Sequence, residues 1–500
     1  MFVRKKPNKS GVVSVQIIDK SDGYKVVQTV GSSKDADEIK QLIEKAKQII
    51  RTSGGKQGEL FYSKEEIIIE DFLKGLSNTQ IHTVGPEIIL GTLFDKIGFN
   101  VIKDELFRHL VITRLVYPVS KLKTVDYLYR YQGIVVQPDT IYRFLDQLQD
   151  KHKESVERIA FEYTKGVLKD ISIVFYDMTT LYFESEDEDD LRRIGFSKDG
   201  KFQQPQIMLG LLVGQNGYPI GYDIFEGNIF EGKTLLPTLE KIRKKFNFAN
   251  PIVVADAALL SKKNIGSLKE DGYTFIIGGR IKNESNDVKG KILKDTTNIK
   301  DKENIEIKRT DGTRLIVSYS DTRRKKDGYN RERGLKKLRQ GMQSGKLTKE
   351  HINNRGYNKF LTLKGSVEVE IDENKIKDDC LWDGLKGYIT NTQLSAVNVI
   401  ENYRHLWEIE KAFRISKTDL RIRPIYHYRK KRIEAHICIA FVAYTLYKEL
   451  ERLLYKYQTG FSSARAIELT HNMYEVTIGQ KKIILKMDKQ QQILYDIIHK

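Results

Sequence analysis

The chain has 500 residues, of which 40% are apolar and 30% charged, and its formal net charge is +18. This length exceeds one ordinary core and predicts about two to four domains, and the charge predicts a polyanionic partner, because each neutralised phosphate releases counterions. Two cysteines (Cys380 and Cys438) and nine scattered histidines exclude a disulfide framework and argue against a zinc finger. The most apolar segment, 437–447, is too short to span a bilayer and no signal peptide is read, so no membrane and a reducing cytoplasm are expected.

Residues 1–58 read as a β-hairpin and a helix. The strands are 12–18 and 24–30, turned by Ser21-Asp-Gly23. The helix carries Ile39, Leu42, Ile43 and Ala46 on one face, with Ser32 or Ser33 as its cap and Thr52-Ser-Gly-Gly55 as its stop. Residues 59–168 read as a helical, candidate DNA-binding region. Its helices are predicted at 85–98, 102–115, 124–131 and 140–148, the last capped by Asp139.

From residue 169 the pattern turns to strands. Buried strands are predicted at 171–176 and 206–213, and a third at 218–225 follows the tight turn Asn216-Gly217. A helix over 234–246 leads to a fourth strand, 252–255, and a fifth lies at 273–277. Three antiparallel strands followed by alternating helix and strand is the order of a ribonuclease H-like fold, so the expected class is α/β. Residues 169–280 form the first part of that core and 391–458 the second. Between them, residues 281–390 read as a β-rich insertion whose strands, 314–319 and 366–371, can form a small sheet of their own. Residues 459–500 are a C-terminal tail.

Three acidic residues carry the chemistry. Asp177 ends the first core strand, Asp256 ends the fourth, and Glu410 lies on the helix Tyr403-Arg-His-Leu-Trp-Glu-Ile-Glu-Lys-Ala-Phe-Arg-Ile-Ser-Lys417. Two strand-end aspartates and one helical glutamate can ligate a pair of magnesium ions, with manganese as a substitute, for cutting and joining phosphodiesters. Seven residues make about 700° of helix, so Tyr403, Glu410 and Lys417 fall within about 40° of one stripe. A carboxylate among a phenol, an arginine and a lysine suits a metal ion beside a phosphate. The plain alternative is an exposed helix with Glu410 paired to Arg414.

This helix resembles the tyrosine–arginine–glutamate–lysine helix of the insertion-sequence DDE transposases, with Tyr403, Glu410 and Lys417 in register. Leu406 stands where that family usually has arginine, so a phosphate contact is either missing or supplied by Arg404 or Arg414. The departure resembles a branch in which the helix is followed by Arg-Pro-Ile and a histidine, here Arg423-Pro-Ile-Tyr-His427. Segments 195–200, 225–231, 256–261 and 383–391 resemble the same branch. The resemblance implies catalytic and metal-binding Asp177, Asp256 and Glu410. Tyr403, Arg404, Arg414, Lys417, Arg423 and His427 are the expected DNA phosphate contacts. It further implies magnesium dependence, double-stranded DNA partners (terminal inverted repeats and target), a dimeric synapse and a bacterial, nucleoid-associated enzyme. A hairpin excision route is left open by Leu406.

Other features have plainer readings. The acidic run 184–190 reads as a solvated loop, Trp382 as core, and His427 and His436 as structural or phosphate contacts rather than metal ligands. Arg323-Arg-Lys-Lys326 and Arg429-Lys-Lys-Arg432 could track phosphates. The sequence also leaves two further functions open: a ribonuclease H-fold nuclease or resolvase, and a non-catalytic DNA-binding descendant of a transposase.

Overall fold

The computed structural model describes residues 1–21, 23–52, 64–247, 251–257, 262–353, 355–364 and 368–500. Several sequence readings lie wholly or partly outside them: Asp22 of the first turn, the helix stop at 53–55, residues 258–261 and the start of the 366–371 strand. The chain divides into two compact units, Met1–Ile81 with Thr477–Gly479, and His82–Val476 with Gln480–Lys500.

The first unit holds the antiparallel strands β1 (Phe2–Pro7), β2 (Val13–Asp19) and β3 (Lys25–Ser33). Its helix Ala36–Thr52 shares a core with them built from Val15, Ile17, Ala46 and Ile50. The basic strand β1 was not expected, because its Arg4-Lys-Lys6 run has no apolar alternation. Neither serine caps the helix. Asp35 does, its Oδ1 accepting from the Asp37 and Glu38 amides at 2.9 Å, while Ser33 Oγ receives the Asp35 amide.

The second unit opens with the last residues of the short strand β4 (Ile81–Thr83), followed by helices Thr92–Ile97, Glu105–Val116, Lys121–Gln132, Pro138–Gln147 and Lys153–Leu168. Gly98, at φ +102°, ends the first of these. Asp139 is not the cap expected of it. Pro138 occupies the first turn, where its missing N–H is harmless, and the cap position falls to Gln137.

Eight strands form the central sheet. They are β5 (Ile173–Tyr182), β6 (Gln206–Val213), β7 (Pro219–Glu226), β8 (Ile252–Ala255), β9 (Thr274–Gly279), β10 (Asn304–Lys308), β11 (Arg314–Tyr319) and, after the β12–β13 hairpin (Leu361–Lys364, Glu368–Ile371), β14 (Leu385–Thr390). Their spatial order is β10-β11-β14-β9-β8-β5-β6-β7. Strands β5, β6 and β7 form an antiparallel meander, and β8 and β9 run parallel to β5. This is the ribonuclease H-like arrangement expected from the chain order.

The insertion differs from expectation. Its strands β10 and β11 form no separate sheet, because β14 pairs with the otherwise open edge of β9 and carries β11 and β10 with it. An unpaired edge beside a buried core would leave backbone donors and acceptors without partners, and this extension satisfies them. Only the β12–β13 hairpin stands apart, with a small core around Leu335, Phe360 and Ile376.

The sheet has a core on each face. Val174, Tyr176, Val253 and Ala255 face one, with Leu239 of the helix Leu235–Phe246. Phe175, Leu181 and Val254 face the other, against Ile409 and Phe413 of the helix Trp407–Arg414 and the long helix Lys430–Lys456. Residues 437–447 are the buried centre of that long helix. No helix among the described residues is long and apolar enough to cross a membrane. The tail is structured too: helix Lys489–His499 buries Leu494, Ile497 and Ile498.

Candidate active site

The sheet register brings the two aspartates together. Tyr176 pairs with Ala255 in the parallel β5–β8 ladder, so Asp177 and Asp256 each stand one residue further along adjacent strands. Alternation puts Asp177 on the face of Phe175 and Asp256 on the face of Val254, and that face is the one the Glu410 helix covers. Asp177 does not end its strand as expected, because β5 runs on through Thr179, Thr180 and Leu181 to Tyr182. The charge interrupts the apolar run without interrupting the ladder.

Asp177 is largely buried, and this desolvation pushes its carboxyl up to about 6. The negative charges of Glu231 and Asp256 push the same way, against Lys198 and the Met178 amide, which donates to Oδ1 at 2.7 Å. Lys198 Nζ lies 3.8 Å from Asp177 Oδ1 and 2.9 Å from Glu231 Oε1, and donates to the Met178 carbonyl at 2.6 Å. Neither Lys198 nor Glu231 was singled out as a site residue, although both lie in segments that carried the family resemblance. Their signal was a short polar motif after a strand, with no periodicity to give it a place.

Asp256 is exposed and receives two hydrogen bonds on Oδ1, from the Ala257 amide at 2.6 Å and the Tyr403 hydroxyl at 3.2 Å. Tyr403 is buried against Tyr388, with ring centroids 5.1 Å apart, and burial raises its phenol above the usual range, with Asp256 adding to the shift. Its hydroxyl, expected at a phosphate, here donates to a carboxylate. Lys386 Nζ sits 4.5 Å above the Tyr403 ring, and burial lowers its amine while Asp256 and Glu410 hold it up.

The predicted continuous helix is interrupted. Ala396–Arg404 ends at His405, Trp407–Arg414 follows, and a π-turn at Ile415–Asp419 succeeds it, so Tyr403, Glu410 and Lys417 stand on three successive elements. Leu406 is buried at the break. Glu410 is exposed and within electrostatic reach of Tyr403 and Lys386. It is not paired to Arg414, whose charge acts on Asp419 instead. Among the described residues, no three His, Cys, Asp or Glu side chains are gathered as a preformed ion site.

Lys417 and Arg423 converge on one acid that sequence reasoning missed. Lys417 Nζ lies 3.2 Å from Asp199 Oδ2, and Arg423 Nη1 2.5 Å from the same oxygen. His427 is buried and held neutral: desolvation first, then Lys121, Arg114 and Arg432, bring its imidazole down to about 3. Arg404 and Arg414 are exposed, and Trp382 borders a cavity of about 710 Å³ beside Asp256 and Tyr403.

Residues 168–446, more than half the chain, match the family described as Transposase DDE domain. The chain belongs to this family. It is a DNA transposase, a class of enzymes that break and join phosphodiesters and generally use divalent metal ions. Among solved structures, one similar to this transposase is the piggyBac transposase synaptic complex with hairpin DNA, at 9% identity and TM-score 0.39, covering 83% of this chain and 76% of that one. Another is the Mos1 transposase paired-end complex with left transposon end, at 11% identity and TM-score 0.16, covering 46% and 71%. No curated protein matches this transposase.

Proposed function

We propose that this transposase cuts the terminal inverted repeats of its own insertion sequence and transfers the freed strands into target DNA, using Asp177, Asp256 and Glu410. The observation that carries the reading is the placement of Asp177 and Asp256 side by side on parallel strands, facing the helix that bears Glu410. The donor set fits a hard divalent cation. Its ligands are all carboxylate oxygens, and the buried Asp177 has a second and third negative charge beside it. Asp177 and Asp256 would hold magnesium or manganese, two ions in all, with Glu410 completing the set. Bound there, the ions supply charge neutralisation at the attacking and leaving oxygens.

The protein's own part is positioning. Tyr403 fixes the Asp256 carboxylate, and Lys198 holds Glu231 and Asp177 in one polar cluster. The exposed Arg404 and Arg414 supply phosphate contacts near Glu410, in place of the arginine that Leu406 replaces. Lys417 and Arg423 act through Asp199, and His427 contributes as a neutral ring. The helices of residues 59–168 grip duplex DNA, and a dimer pairs two ends on nucleoid DNA in a bacterial cytoplasm.

The test uses DNA flanking the gene as substrate, with magnesium, and compares the wild type with Asp177→Asn and Glu410→Gln. Magnesium-dependent cleavage at the repeat ends, lost in both variants and followed by joining to a target plasmid, is the expected result. Cutting that ignores the ends would replace this reading with a nuclease, and end binding without cutting would replace it with a non-catalytic descendant.

A further inference from the structure

The second candidate site lies away from the carboxylates. Three basic residues, Arg114, Lys121 and His436, are 6%, 6% and 5% exposed, and all three line one cavity of about 620 Å³. Lys123, Arg421 and Arg423 add further cations to its wall beside the neutral His427, and no Asp or Glu lines it. The buried charges have no acid to answer them. Arg114 makes one long hydrogen bond, Nη1 to the Leu420 carbonyl at 3.5 Å, and its buried Nε has no partner. Lys121 forms no ion pair among the described residues, and the charge closest to it in effect is Arg114, which repels it.

Among the described residues, the other buried cations are paired. Arg331 meets Asp379 and Asp383, and Lys448 meets Glu451. Burying a cation without a counter-charge is strongly unfavourable, so two that repel each other while lining one cavity indicate a site whose anion comes from outside the chain. Other features agree. Ser120 caps the helix Lys121–Gln132, and that helix presents its positive N-terminal end to the cavity. Arg421 is held at φ +44°, a conformation L-residues rarely adopt, on the cavity's rim. Burial alone brings the Arg114 guanidinium down to about 10, so no carboxylate is offsetting its desolvation.

We infer that this cavity binds one phosphate group of a DNA strand, held by Lys121 and Arg114. The assignment to DNA rests on the reading of the chain as a DNA-joining enzyme; the phosphate chemistry does not. Arg423 connects the cavity to the catalytic face, since it also bonds Asp199, whose neighbour Lys198 lies 3.8 Å from Asp177. A strand anchored here would therefore be tied to the segment that holds the first catalytic carboxylate.

The experiment uses the full chain in low-salt chloride buffer. Inorganic phosphate is titrated by calorimetry and thermal shift, and duplex affinity is measured as a function of salt. Lys121→Met keeps the aliphatic stem and removes an unpaired charge, so it is expected to fold and to melt higher than the wild type without phosphate. The expected results are one saturable phosphate site in the wild type, weakened about tenfold or more in Lys121→Met, with a duplex salt slope smaller by about one. No saturable phosphate binding, or binding unchanged in the variant, overturns the site. Phosphate binding lost while duplex affinity and salt slope stay unchanged overturns the assignment to DNA. Asp177→Asn should leave phosphate binding intact, which separates a failure here from a failure of the catalytic reading.

Discussion

The Tyr403 hydroxyl donates to Asp256 Oδ1 at 3.2 Å, across 147 residues of sequence, from a ring buried between β9, β14 and Lys386. This makes Tyr403 a positioning residue for the second carboxylate. Tyr403→Phe is expected to lower cleavage about tenfold while leaving DNA affinity within about twofold, and to cost about 1 kcal/mol of stability. Single-turnover cleavage and equilibrium binding measured side by side decide it. A variant that binds DNA poorly but cuts normally once saturated would return Tyr403 to phosphate contact.

Gly278 is what lets that tyrosine in. A Cβ built on it would sit 2.6 Å from the Tyr403 hydroxyl oxygen, with Ala257 also at 3.2 Å. Gly278→Ala is therefore expected to displace the phenol, with a stability loss of about 1–3 kcal/mol from overpacking. The diagnostic comparison is the double variant with Tyr403→Phe, which removes the atom in the way. If the double variant is no more stable than Gly278→Ala alone, the close approach is not what makes this glycine necessary.

The pH dependence of the metal-free protein follows from Asp177. Its carboxyl is raised from 3.8 to about 6, so the folded state binds the proton more tightly than the unfolded one. The associated stabilisation is complete below about pH 4 and is lost as pH rises through about 6. The difference amounts to roughly 2–3 kcal/mol by pH 7. Asp177→Asn should thus be more stable than the wild type at pH 7 without metal, and the gap should close towards pH 4. Urea melts of both proteins in chelator across that range measure it, and a gap that widens on acidification would contradict the assignment.

How much of this was legible beforehand depended on whether a local pattern fixed the answer. The order of core strands was readable because β5, β6 and β8 hold buried apolar runs, and Asp177 and Asp256 stood out as the charges that follow the apolar stretches 171–176 and 251–255. The insertion's strands were readable as strands, but not their partner, since joining the edge of β9 is a pairing between distant segments that leaves no periodic trace. The Glu410 helix shows the opposite failure. Its heptad phase looked continuous in sequence, yet buried Leu406 closes a turn at 405–406 and puts Tyr403 on a separate helix. Asp199 and Lys198 sit on a turn and Glu231 on a short 3-10 helix, and they acquire meaning only once folding brings them to Lys417, Arg423 and Asp177.

Asp199 gives the sharpest remaining prediction. Its side chain is 15% exposed and faces Lys417, 12% exposed, and Arg423, 26% exposed. Asp199→Asn keeps the shape and removes the charge, leaving both cations without their counter-charge, which costs about 3–5 kcal/mol when a buried pair is broken. Removing Lys417 as well, as Lys417→Met, lifts part of that burden, because one fewer cation is then stranded. The double variant should accordingly recover stability relative to Asp199→Asn, as a coupling of at least about 1 kcal/mol in a double-mutant cycle. Additive losses would mean that Lys417 draws its stabilisation from elsewhere. Cleavage should not recover in step with stability, because the segment holding Lys198 beside Asp177 is anchored through the same carboxylate.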